Sequence, residues 1–62
     1  ARLSLDHLLA LLPPKQAQAI TLVKIEGASI AEASRICGQS ESLVKVNIHR
    51  GLKKLSQYIE SE

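Results

Sequence analysis

The 62-residue sequence predicts an all-α domain of four helices, and three observations carry that prediction. Apolar residues recur at spacings of three and four along most of the chain, the period of a helix face rather than of a strand. Pro13, Pro14, Gly27 and Gly38 divide this pattern into four segments. Ser4, Ser29 and Ser40 stand where helix N-termini take a capping hydroxyl. With 45% hydrophobic side chains and a formal net charge of +2, residues 1–62 make one domain. A chain this short buries only about 60% of its unfolded surface, which leaves no room for a deep substrate cavity and argues against an autonomous enzyme. It begins at Ala1 and contains no methionine, so it is expected to be a piece of a longer chain.

In the first segment Leu5, Leu8, Leu9 and Leu12 form an apolar stripe, expected in the core, behind the Ser4 cap. The proline pair stops that helix. Pro14 suits the first position of the second helix, whose Ala17, Ile20 and Val23 face inward until Gly27 ends it in the left-handed conformation. Leu22 and Ile25 fall on the opposite side, which places this helix between neighbours in the middle of the domain. Ser29-Ile30-Ala31-Glu32 is a capping box that opens a short third helix, with Ile30, Ala33, Ile36 and Cys37 inward and Gly38 as terminator. Ser40 caps the fourth helix, where Val44, Ile48, Leu52, Leu55 and Ile59 mark the inward stripe. Gly51 lies beside that stripe and admits a close neighbour, despite a helix cost of about 1 kcal/mol.

A short helix, the turn Gly38-Gln39-Ser40 and a longer helix form a helix-turn-helix pattern, in which the second helix enters the DNA major groove. At about 100° per residue, Ser42, Val46, Arg50 and Lys53 lie opposite the apolar stripe, with Lys45 and His49 on one flank and Asn47 and Lys54 on the other. From Arg35 to Lys54 five lysines or arginines stand against Glu41 alone, a local balance of +4 in a chain of +2, so the remainder is net acidic. Clustered cations of this kind displace counterions from duplex DNA. The guanidinium fork of Arg50 suits guanine O6 and N7, the amide of Asn47 suits adenine, and Val46 suits a thymine methyl. Lys53 and Lys54 are placed for phosphates, and so are Ser29, Ser40 and Ser42 at or near helix N-termini with free amides. Tyr58 is the only aromatic residue, which excludes base stacking as the main mode of binding.

Other chemistries find little support. The lone Cys37 allows no internal disulfide and reads as a small inward residue of an intracellular, cytoplasmic protein. No apolar run approaches the roughly 20 residues that span a bilayer, so no membrane insertion is expected. Two histidines and one cysteine have no metal-ligand spacing, and no nucleophile stands near a base. No catalytic residue, metal, cofactor or small-molecule substrate is therefore expected.

The sequence resembles region 4, the C-terminal conserved region of the extracytoplasmic-function sigma factors of bacteria. The likeness rests on Leu12-Pro13 followed by Gln16, on Glu26-Gly27-Ala28-Ser29, on Gly38-Gln39-Ser40, and on the stretch from Val44 to Leu55, which looks like V-K-x-x-[LI]-x-R-[AG]-x-x-x-L. It implies a domain that reads the −35 promoter element, positions RNA polymerase through the β-subunit flap, and is sequestered by an anti-sigma factor. It also implies that Lys45, Val46, His49 and Arg50 contact promoter bases or the adjoining backbone. Gln39 stands where an apolar turn residue is usual and Ser34 where alanine is, which implies looser packing of the turn. The output domains of LuxR-type regulators share the four-helix plan and a similar V-K-x-[HN] stretch, while Pro13 and Gln16 favour the sigma resemblance. A third reading is a sigma-like adaptor that binds proteins only.

Overall fold

Helix α4, Glu41–Glu60, is the longest element of the computed structural model, which describes residues 4–60. Before it come α1 (Leu5–Ala10), α2 (Pro14–Ile20), a π-helical segment (Thr21–Ile25) that continues α2 without a break, and α3 (Ile30–Cys37). The described residues contain no strand, so the fold is all-α as expected; the outermost residues of the 1–62 domain lie outside those described. α4 packs chiefly on α2 and next on α3, while α1 touches both α2 and α4. The second helix is thus in the middle.

The core is aliphatic. Val44, Ile48 and Leu55 of α4 meet Leu12, Ala19, Ile20, Leu22 and Ala33, with Leu8, Leu9, Val23 and Ile30 packed around them. Ala19 and Ala33 are fully buried, and their short side chains let α2 and α3 lie close to α4. Closest of all is the crossing at Gly51. A Cβ there would stand 2.5 Å from Ile20 Cδ1, 3.4 Å from Leu12 Cδ1 and 3.5 Å from Gln16 Cβ.

That crossing corrects the expected stripe of α4. The buried line runs through Val44, Asn47, Ile48, Gly51 and Leu55, while Leu52 and Ile59 are 42% and 58% exposed. Both lie on the flank, because α2 rests on the glycine and not on the leucine beside it. Ile36 of α3, expected inward, is 60% exposed, and the inward positions of that helix are Ala33, with Ile30 and Cys37 half-buried. Leu5 is also exposed, whereas Leu12, past the end of α1, is buried.

The second helix was expected to stay α-helical to Gly27. Instead the Glu26 amide donates to Thr21 O at 2.9 Å, five residues back, and the Ala28 amide reaches Leu22 O at 2.9 Å. This wider turn keeps Leu22 in the core and turns Ile25 outward. Gly27 then closes the segment at φ +79°, as expected. Nothing in Thr21–Ile25 marks the extra residue in advance.

The predicted caps form. Ser4 Oγ accepts from the His7 amide at 3.2 Å. Ser29 Oγ accepts from the Glu32 amide at 3.0 Å while the Glu32 carboxylate accepts from the Ser29 amide at 3.0 Å. Ser40 Oγ accepts from the Leu43 amide at 3.1 Å.

Two outcomes follow from this packing. Gly51→Ala gains about 1 kcal/mol of helix propensity but overpacks the crossing, which costs about 1–3 kcal/mol, so thermal unfolding should show a net loss of stability. Ile20→Val deletes the Cδ1 in the way. Alone it should cost about 0.5–1.5 kcal/mol, and clearly less in the Gly51→Ala background; strict additivity of the two would contradict the crossing.

The capping box of α3 adds a dependence on pH. The Ser29 amide, and then its hydroxyl and Arg35, hold the Glu32 carboxyl below its ordinary value of 4.5. A lowered carboxylate stabilises the fold above that value, and the benefit is lost as pH falls through the folded pKa. The wild-type chain should therefore unfold at a higher temperature than Glu32→Gln at about pH 6, with the gap narrowing as the pH falls below the ordinary carboxyl value and through the lowered folded pKa. A gap that does not change with pH would contradict the capping role.

Candidate nucleic-acid interface

In the unit formed by α3, its turn and α4, the short helix is fastened at both ends. The capping box fixes the start of α3, and Gly38 ends it in the left-handed conformation at φ +70°. The Gly38 and Gln39 amides both donate to Ser34 O, at 3.0 and 3.2 Å, and Ser34 Oγ donates to the Gln39 carbonyl. Gln39, 7% exposed, accepts at Oε1 from Asn47 Nδ2 across the turn. Ser34 and Gln39, the two unusual residues of the turn, are both used in hydrogen bonds.

Asn47 is the main correction to the predicted site. It was expected on the outward face, within reach of adenine, but it is 7% exposed and its amide is spent on Gln39. The reason is the position of the buried line, which passes through Gly51 and so carries Asn47 inward with it. The opposite face is accordingly centred on Ser42, Val46, His49 and Lys53, with Lys45 and Arg50 on its two margins. All six side chains are exposed, as is Lys54 further round the helix.

Each margin borders a shallow groove. One, of about 280 Å³, is lined by Gln16, Arg50, Lys53, Lys54 and Gln57 and so gathers three cations. The other, of about 250 Å³, is lined by Lys45, His49 and Lys24 together with Val23, Ile30, Ile48 and Leu52. Gln16 belongs to the Leu12-Pro13 motif and adds to the predicted site. Its Oε1 is buried without a hydrogen-bond partner, and its Cβ lies against α4 because Gly51 has no side chain.

The serines are less free than expected. At Ser29 both the hydroxyl and the amide are engaged by Glu32, so the open amide expected to hold a phosphate is occupied by a carboxylate. Ser40 Oγ accepts from Leu43, which leaves its own proton available to an acceptor. Ser42 is exposed in the first turn of α4. Cys37 is a free, half-buried thiol. Among the described residues no group of three His, Cys, Asp or Glu side chains could hold a metal, and no helix is long and apolar enough to cross a membrane.

Comparison with known proteins agrees with this architecture. A model of the family "Sigma-70, region 4" matches residues 2–55. Over 55 residues the chain is 46% identical to the ECF RNA polymerase sigma factor SigF of Caulobacter vibrioides (strain NA1000 / CB15N), a match covering 89% of this chain. The chain spans 31% of that relative's length. No solved structure matches. With the helix-turn-helix geometry and a family match over most of its length, the chain belongs to the sigma-70 region 4 family.

Proposed function

We propose that this chain is the −35-reading region of an extracytoplasmic-function sigma factor, with α4 laid in the major groove of promoter DNA. The observation that carries the reading is the hydrogen-bonded α3–α4 unit, whose exposed face presents Ser42, Lys45, Val46, His49, Arg50 and Lys53 together. Arg50 reaches guanine O6 and N7 from one margin, Val46 rests on a thymine methyl at the centre, and Lys45 and His49 contact bases or backbone from the other margin. Lys53 and Lys54 face a strand of phosphates along the groove that Gln16 shares, and Ser40 and Ser42 meet the strand at the start of α4. Asn47 and Ser29 do not contribute direct contacts in this reading.

The reading also takes RNA polymerase, through its β flap, and an anti-sigma factor as protein partners in the cytoplasm, with no cofactor and no catalysis. Family membership and likeness to an ECF sigma factor support it. They also favour it over a LuxR-type regulator.

Two substitutions test the interface. Arg50→Ala should cost about 1–3 kcal/mol on the preferred duplex and relax preference at one base position; equal loss on every sequence would exclude base reading. Lys53→Ala should lower the slope of log K against log salt by about 1 and leave sequence preference intact. Should the wild-type chain show no salt-dependent association with any duplex, the protein-only adaptor reading would replace this one.

A further inference from the structure

One turn residue ties two helices together by directional bonds. The backbone of Gln39 is held by α3, through its amide to Ser34 O and its carbonyl from Ser34 Oγ. Its side chain is held by α4, through the bond from Asn47 Nδ2. Asn47 directly follows Val46 and precedes Arg50 by one turn. Both amides are buried, so their bond forms out of reach of competing water.

The arrangement carries a cost. Gln39 Nε2 is buried with no hydrogen-bond partner, so part of the desolvation cost of this pair is not returned. Two aliphatic side chains of similar size would fill the space without that cost. Apolar contacts tolerate a rotation of one helix against another; a hydrogen bond between two fixed amides does not. Such a rotation changes which of Val46, His49, Arg50 and Lys53 stands at the centre of the exposed face.

We infer that Gln39 and Asn47 are positioning residues that set the rotation of α4 about its own axis relative to α3, and thereby decide which side chains meet the base edges. The consequence for DNA rests on the proposed −35 reading; the helix setting itself does not.

The test uses the 62-residue chain and the double variant Gln39→Leu/Asn47→Leu, with Asn47→Ala as a second variant that breaks the same bond with less added bulk. Residual dipolar couplings of α3 and α4 amides report the relative orientation of the helices in the free protein. Affinities for a −35-type duplex and a scrambled duplex report discrimination. The double variant is expected to unfold at a temperature no lower than the wild type, with α4 reoriented or averaged relative to α3. Its discrimination should fall by about fivefold or more, the contribution of one good base contact, while affinity for the scrambled duplex stays unchanged because no cation is touched. Wild-type couplings in both variants would overturn the inference, whatever their discrimination. If the wild-type chain itself does not discriminate, the DNA reading fails, and the couplings alone decide the positioning role.

Discussion

Where α2 crosses α4, a Cβ at Gly51 would stand 2.5 Å from Ile20 Cδ1, so any side chain there would require that methyl to move. This contact lies on the buried line of α4. With Gly51 at the crossing, Val44, Ile48 and Leu55 turn inward and Leu52 and Ile59 are left on the flank. The cationic residues then emerge on the opposite side as one surface. A glycine in mid-helix is locally unfavourable, and the close approach of two aliphatic helices offsets that cost.

Two kinds of interaction divide the structural work. The aliphatic core packs α1, α2 and the π-helical segment against α4 through apolar contacts, and such a core tolerates small adjustments. The turn between α3 and α4 is built differently, from Ser34, Gln39 and Asn47 joined by hydrogen bonds. Stability comes mainly from the first, and the setting of the exposed helix from the second. Loss of the polar fastening is therefore compatible with a folded domain whose recognition face is no longer fixed.

Much of this was legible in the sequence because it depends on local chemistry. Serine caps, the capping box at Ser29 and left-handed glycines at 27 and 38 each follow from a few neighbouring residues, and each formed. What was not legible depends on how helices meet. Periodicity could not choose between Leu52 and Gly51 as the inward residue, because they are adjacent on the helix and only the partner decides between them. The same ambiguity placed Asn47 outside, although its bond to Gln39 spans eight residues and gives no local signal. Gln16 was missed as a groove residue because it enters from another helix. The π-helical turn, which exposes Ile25, left no mark in composition.

The most direct test of the central claim is an amide NMR titration of the labelled chain with a −35-type duplex and with a scrambled duplex, at low and moderate salt. The account predicts shifts concentrated on α4 from Ser42 to Lys54 and at Gln16, larger for the promoter-like duplex and weakening as salt is added. If neither duplex moves those amides, or if the shifts fall instead on Ile36, Leu5 and the other exposed apolar positions, the face opposite Gly51 is not a DNA-reading surface.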